Sequence, residues 1–417
     1  MTTPVRVAIL GCGGRGGTYA DWIARHPDQA RVVAVADPRP AYREAIADAH
    51  GVPTDRRYTD WREIVAAQRI ADLVVVATQD SQHRDPTLAF AARGYHILLE
   101  KPIAPTERET REIVSAVREA GVLFAVCHVL RYTPYTETLR AVLDSGAIGR
   151  VVSVQHLEPV GYWHQAHSFV RGNWGNSAES SPMLLAKSCH DVDWLQYVVG
   201  QPIARVSSFG GLTHFTRANQ PAGAADRCTD CAVEPDCAYS APRIYGRYLD
   251  RGSTGWPLTV LTPEPTRASV AAALRDGPYG RCVYACGNDV VDHQVVAMEF
   301  AGGVSAAFTM TGFTESTHRR TRIFGTAGEL SCDGDTVRVY DFRTEAWREI
   351  DAATTGDATA GGGHGGGDDA LMAAMVRAVA TGDASGLRSG AEESLNSHLA
   401  VFAAERARLT GTVEVVG

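Results

Sequence analysis

The chain has 417 residues, 45% of them hydrophobic and 21% charged, with a formal net charge of −8. That length is too great for one ordinary core, and the composition is that of a globular protein with two domains. The acidic balance leaves no basic excess to neutralise phosphates, which argues against nucleic acid as the main partner and for a small molecule.

The first elements alternate strand and helix. Val5 to Leu10 is an apolar run closed by the loop Gly11-Cys-Gly-Gly-Arg-Gly16; a helix follows to about His26, then a strand from Val32 to Ala36 that ends on Asp37. A helix after Pro38, a buried strand from Leu73 to Ala77, a helix over Asp85 to Arg93 and a strand from Tyr95 to Leu99 continue the pattern. A helix over Thr106 to Ala120 and a strand from Val122 to Val126 complete it. This succession predicts a doubly wound parallel sheet, a Rossmann domain over residues 1–130. Beyond a helix at Tyr135 to Ser145 the runs Val151 to His156, Val295 to Phe300 and Val304 to Met310 read as strands separated by long polar loops. With a helix over Asp191 to Val199, they predict a mostly antiparallel sheet in an α+β domain over 131–417. A cysteine-bearing insertion spans about 215–290. The glycine-rich run from Gly361 to Asp368 reads as a hinge or loop, and Ala370 to about Thr410 as two helices broken near Gly382 to Ser389. The N-terminal segment has no basic n-region and no apolar span of ~18 residues, so a cytosolic location without a membrane partner is expected.

Gly11, Gly13 and Gly16 form a GxGxxG loop that follows a strand and opens a helix, and Asp37 closes the next strand. That context is the dinucleotide fingerprint: a tight turn, close backbone approach to the pyrophosphate, close helix packing, and an acid for the ribose hydroxyls. Gly14 and Arg15 lie within the same loop. Asp37 favours NAD over NADP, although Arg39 can pair with a 2′-phosphate. Thr78, Gln79 and His83 follow a strand's C-terminal end, where the cofactor cleft is expected.

Of the 40 lysines and arginines, only Lys101 and Lys187 are lysine. Each therefore marks a place that needs a compact, titratable ammonium. Lys101 stands in Glu100-Lys101-Pro102, directly after a strand; Arg131-Tyr132 follows the next strand, and His190-x-x-Asp193 lies on a later helix. In this order the motifs resemble the glucose–fructose oxidoreductase/inositol dehydrogenase (Gfo/Idh/MocA) family over essentially the whole chain. The resemblance implies a C-terminal domain on a large open sheet, hydride transfer between a nicotinamide and a sugar or cyclitol carbon, and homodimers or homotetramers formed through that sheet. It also implies that Glu100 and Lys101 meet the cofactor, that Lys101 orients the reacting hydroxyl, and that His190 is the general base.

The family's usual aspartate four residues before the histidine is absent, since that position is Ala186. Lys187 beside it is then a candidate substrate anchor or proton donor, on the His190 face if the segment is helical. Arg131, Arg171, Trp174 and Asp193 are candidate polar and stacking contacts for a substrate ring, with His293 and His364 also within possible reach.

The nine cysteines are mostly scattered, except for Cys228-x2-Cys231-x5-Cys237 in the polar insertion and Cys282-x3-Cys286 further on. Cys228, Cys231, Cys237 and Cys282, with Cys286 as an alternative ligand, can form a tetrahedral thiolate site for structural zinc. A disulfide or free buried thiols are the alternatives. Three activities fit the whole: a dehydrogenase of a secondary hydroxyl or ketone, a lyase or glycosidase that retains NAD and oxidises transiently, and a non-catalytic sugar or nucleotide sensor.

Overall fold

The computed structural model describes residues 3–352 and 364–417. Six strands, β1 (Val5–Leu10), β2 (Ala30–Ala36), β3 (Arg57–Tyr58), β4 (Leu73–Val76), β5 (His96–Leu99) and β6 (Phe124–Val126), form one all-parallel sheet in the order β3-β2-β1-β4-β5-β6. Except in the two-residue edge strand β3, their apolar runs follow from burial on both faces. Val7 and Ile9 of β1 enter one core and Ala8 and Leu10 the other, as the two-residue period of a strand requires. The strand order reverses between β1 and β4, which opens a crevice at their C-terminal ends, where the glycine loop and Thr78 lie.

The second sheet has nine strands: β7 (Val151–Pro159), β8 (Ile203–Gly211), β9 (His293–Phe300), β10 (Ser305–Thr311), β11 (Arg320–Gly325), β12 (Gly328–Cys332), β13 (Thr336–Asp341), β14 (Ala346–Asp351) and β15 (Glu414–Val415). The order is β14-β13-β12-β11-β7-β10-β9-β8-β15, antiparallel except for the β7–β10 pair. Along β9, buried Gln294, Val296 and Met298 alternate with exposed Val295 and Ala297, so one face packs on helices and the other is open. The helices Pro134–Asp144, Cys189–Val199 and Ala391–Thr410 supply the covering core residues Leu139, Leu195 and Val401.

The insertion is more ordered than its polar composition implies. Helices Ala241–Asp250, Leu258–Leu261 and Arg267–Asp276 enclose a small core of Ile244, Tyr245, Leu258, Val270 and Leu274. At its far end Tyr42 of the first domain donates its hydroxyl to the Thr259 carbonyl at 3.0 Å.

Two helices, Gly367–Thr381 and Ala391–Thr410, stand where the C-terminal pair is expected. Of the glycine-rich run before them, residues 361–363 lie outside the described residues. The division of the chain at residue 130 needs one correction. Leu371, Met372, Met375 and Val376 pack into the same core as Val7 and Tyr19, so the returning helix Gly367–Thr381 covers the first domain rather than the second.

Candidate active site

The cofactor crevice begins at the glycine loop. Gly11 has φ +84°, and a Cβ there would fall 2.3 Å from the Ala77 carbonyl oxygen; a Cβ on Gly16 would fall 2.0 Å from the Gly11 carbonyl. Both positions therefore require glycine, the first for its backbone and the second for helix-on-strand contact. The helix Gly14–Arg25 starts at Gly13 without a side-chain cap, which leaves its first N–H groups and positive dipole end available to a pyrophosphate. These features fit a bound dinucleotide.

Asp37 at the end of β2 is 2% exposed and accepts the N–H groups of Cys12 and Arg39, each at 2.8 Å. Burial alone would raise its pKa, but the Arg39 guanidinium and those N–H groups hold it below the usual carboxylate range. Arg39 is folded against Asp37, with Nη2 at 2.8 Å from Oδ2, and its guanidinium lies over the Tyr42 ring. Thr78 and Gln79 flank the crevice at the end of β4. His83, expected beside the cofactor, is instead fully buried: its ring nitrogens meet the carbonyls of Pro102 at 2.8 Å and Thr78 at 3.1 Å, so it braces two loops.

Arg15 and Glu100 are also braces. Arg15 pairs with Glu100 at 2.6 Å and with Asp368 at 2.5 Å, and Tyr19 donates to the same Glu100 oxygen. Burial opposes ionisation of Glu100, yet Arg15 and Tyr19 keep it anionic. Its other oxygen accepts the Lys101 N–H at 3.0 Å. The carboxylate thus sets the backbone that presents Lys101 at the end of β5. Asp368 in turn holds His364 Nδ1 at 2.9 Å. Neither Asp368 nor this link across the chain is signalled by a local motif.

Lys101 reaches across to the second domain, where its Nζ donates to the Ala186 carbonyl at 2.6 Å. The position that lacks the family's aspartate still meets the lysine, through a backbone oxygen. An ammonium has three donors, so two remain for a substrate oxygen. His190 lies four residues on, 4% exposed, with Nδ1 buried and unpaired among the described residues. Burial, with Lys101, His128, His364 and Arg319 nearby, pushes its pKa well below the ordinary value. The imidazole is therefore neutral, with an unprotonated ring nitrogen. Its ring stands 5.9 Å from both His128 and His364, centroid to centroid.

Lys187 does join this cleft, but as a paired residue: Nζ lies 3.0 Å from Glu158 Oε1, and Arg319 holds the other Glu158 oxygen at 3.0 Å. Arg319 also binds Asp191 at 2.5 Å, and His156 meets Asp191 at 3.1 Å. His164, which sequence reasoning passed over, is half-buried between Trp163, Phe169 and Trp256 at 5.2–5.8 Å. Burial and the charges of Lys187, His167 and Lys101 push its pKa well down. This aromatic group forms an apolar wall suited to the faces of a sugar ring.

Four expected substrate contacts serve other ends. Arg131 and Asp193 are buried against each other in a bidentate pair at 2.6 and 2.7 Å, which ties the helix bearing His190 to the end of the first domain. Arg171 donates to the carbonyls of Arg281 and Tyr239, both at 2.7 Å, and approaches Cys228. His293 pairs with Asp292, which accepts the Thr213 and His214 N–H groups, so it closes the start of β9. Trp174 remains at the cleft between domains, donating from Nε1 to Asp80 at 3.2 Å.

All nine cysteines are free. Cys228, Cys231, Cys237 and Cys282 line a single cavity, whereas Cys286 turns back to the Cys282 carbonyl. Among the described residues no group of three or more His, Cys, Asp or Glu side chains is placed, as the side chains stand, to hold a metal ion.

The buried histidines carry a pH prediction. Burial pushes His128 and His167 down to about 3 and His398 to about 4. Unfolding returns them to ~6.5, so between these values the unfolded chain binds more protons and stability falls as pH falls. Each imidazole contributes ~1.4 kcal/mol per pH unit in that window. Urea midpoints measured at pH 7 and pH 5 should drop accordingly; equal midpoints would contradict neutral burial.

Known proteins resemble the chain in both halves. The family models described as oxidoreductase family, NAD-binding Rossmann fold, and oxidoreductase family, C-terminal alpha/beta domain, match residues 5–128 and 140–403. A 2,7-anhydro-N-acetylneuraminate hydratase of Escherichia coli is 25% identical over 213 residues, 50% of this chain and 54% of the hydratase. The scyllo-inositol 2-dehydrogenase (NAD(+)) of Bacillus subtilis is 28% identical over 216 residues, 51% of this chain and 59% of the dehydrogenase. The chain thus spans little more than half the length of these relatives. A levoglucosan dehydrogenase solved with NADH and L-sorbose superposes with a TM-score of 0.71 at 19% identity, covering 100% of this chain and 99% of that one, a likeness of fold.

Proposed function

Because the chain belongs to the Gfo/Idh/MocA oxidoreductase family, we propose that it is an NAD-dependent oxidoreductase acting on a secondary hydroxyl, or the corresponding ketone, of a sugar or cyclitol. The observation that carries this reading is the meeting of Lys101 Nζ with the Ala186 carbonyl at 2.6 Å, which brings the end of β5 against the segment bearing His190. The glycine loop, the open helix N-terminus and Asp37 would hold the dinucleotide, which supplies a hydride acceptor or donor. Lys101 donates an N–H to the substrate oxygen and orients it. In the oxidative direction the neutral His190 takes the hydroxyl proton. Lys187, held by Glu158, anchors a second hydroxyl, and Trp163 and Trp256 exclude water from the ring face. The relatives named as inositol 2-dehydrogenases support the substrate class.

The test is absorbance of reduced nicotinamide when the protein is given NAD or NADP with inositols, pyranoses and sugar nucleotides. Net reduction with one of them establishes the activity, and none with any of them overturns it. Asp37 should decide between the cofactors. Asp37→Ser removes the ribose acceptor and frees Arg39 for a 2′-phosphate, so kcat/KM for NAD should fall ~10–100-fold relative to NADP. An unchanged ratio would refute that role.

The hydratase relative favours a second reading. Adding water involves no net redox change, so the cofactor would return to its starting state in each turnover. Substrate consumption with solvent deuterium entering a C–H position, and no reduced nicotinamide accumulating, would select it over the dehydrogenase.

For assembly and location, we propose a cytoplasmic homo-oligomer. No described helix is long and apolar enough to cross a membrane. The open face of the large sheet exposes Val152, Phe209 and Val295, an apolar surface suited to a second copy.

A further inference from the structure

Four cysteines from two separate parts of the insertion converge on one cavity. Cys228, Cys231 and Cys237 come from a segment of short turns, and Cys282 from the stretch that follows the helix Arg267–Asp276. The cavity is about 20 Å³, room for one ion. Apart from the sulfurs, Pro221, Ala224, Val233 and Val283 close one part of it, and Glu234, Ser240 and Tyr284 also reach its wall.

The polar groups around it point the same way. Arg171 lines the cavity and is 5% exposed; its Nη2 lies 3.5 Å from Cys228 Sγ, and its Nη1 is buried with no partner among the described residues. A buried guanidinium with an orphaned donor is costly beside neutral thiols and favourable beside thiolates. Two further donors face sulfur: the Ala225 N–H at 3.4 Å from Cys231 and Gln220 Nε2 at 3.8 Å from Cys282. Such N–H groups stabilise ligating sulfur, and the cation offsets the double negative charge left when one Zn²⁺ binds four thiolates.

We propose that Cys228, Cys231, Cys237 and Cys282 bind one structural zinc ion that staples the insertion to the wall of the active site. Binding displaces the four thiol protons to solvent, and the sulfurs turn inward about their side-chain torsions to close the shell. The staple reaches the cleft through Arg171. That residue ends the wide-turned helix Gln165–Arg171, whose His167 accepts or donates at 2.8 Å with Tyr245 of the insertion and whose leading turn carries His164. Trp256, in the same insertion, packs on both histidines at 5.2 and 5.5 Å. A fixed insertion therefore holds the apolar wall beside Lys101.

Elemental analysis of the full chain, purified without chelator, should give about one zinc per chain, falling below ~0.2 in Cys231→Ser. Because that variant can fail to fold, Co²⁺ alone is also added to the metal-stripped wild-type protein. Sulfur-to-cobalt charge transfer together with the strong visible bands of a tetrahedral site is expected. Zinc well under one per chain with no cobalt bands overturns the proposal, as does iron with acid-labile sulfide or a Cys228–Cys231 disulfide found by mass spectrometry. None of these readouts depends on turnover, so the site stands or falls separately from the oxidoreductase activity.

Discussion

Lys101→Ala is expected to lower kcat by ~10²–10⁴-fold while leaving NAD affinity within a few-fold of wild type. The side chain is the only lysine of the first domain, and it projects from a backbone set by the buried Glu100 carboxylate. Its Nζ meets the second domain at Ala186 O, four residues before His190. Alanine removes the ammonium that is proposed to orient the reacting oxygen but touches neither the glycine loop nor Asp37. Lys101→Arg should recover less than a tenth of the lost rate, since a planar fork cannot replace a compact ammonium pointed at one oxygen. Initial rates at saturating NAD, with dinucleotide binding followed by protein fluorescence, separate the two effects. A kcat within threefold of wild type for Lys101→Ala would remove the lysine from the mechanism.

Asp193→Ala is expected to cost ~3–5 kcal/mol of stability, because it leaves Arg131 charged and unpaired in the interior. Both partners are buried, 2% and 0% exposed, and Ser397 adds a hydrogen bond to Asp193 at 2.9 Å. Burial raises the carboxyl's pKa, but Arg131 and His128 outweigh it, so the aspartate stays ionised. Arg131→Met combined with Asp193→Ala should lose much less than Asp193→Ala alone, since no orphan charge remains. Urea unfolding followed by near-ultraviolet circular dichroism reads both variants. Equal losses in the single and double variants would show that the cost is a packing defect. The pair also sets the helix one turn beyond His190, so the single variant should lose activity at urea concentrations where it is still folded.

Five strands of the first domain were legible because each is an apolar run bounded by turn residues, and β1 falls on the expected Val5–Leu10, whereas the edge strand β3, Arg57–Tyr58, carries no such run and escaped notice. The helix Glu107–Ala120 was legible from its period and its ends, with Thr106 accepting the Glu109 N–H and Gly121 left-handed after it. In the second domain β8, β12 and β15 escaped notice, as did β11, β13 and β14. Arg322 and Arg338 point outward between buried neighbours, and an open sheet face tolerates charge, so these segments read as polar loops. The insertion's helices were hidden for a related reason, since their small private core needs few apolar residues.

The candidate site divides along the same line. The sequence by itself determined the NAD-binding Rossmann fold and singled out Lys101 and His190 as candidates, because the signal of each is written in a few contiguous residues whose backbone geometry is local. It also placed the four cysteines in one set. Only the tertiary structure decided what Arg131, Asp193, Arg171, His83 and Arg15 do, since charge on a residue says nothing of its partner. Arg131 finds Asp193 62 residues away and Arg15 finds Asp368 353 residues away. Burial turns such residues into obligatory pairs, because an interior charge must be neutralised where the fold happens to bring its counterion. The same holds for position 186, whose missing carboxylate is replaced by a backbone carbonyl that packing alone presents to Lys101.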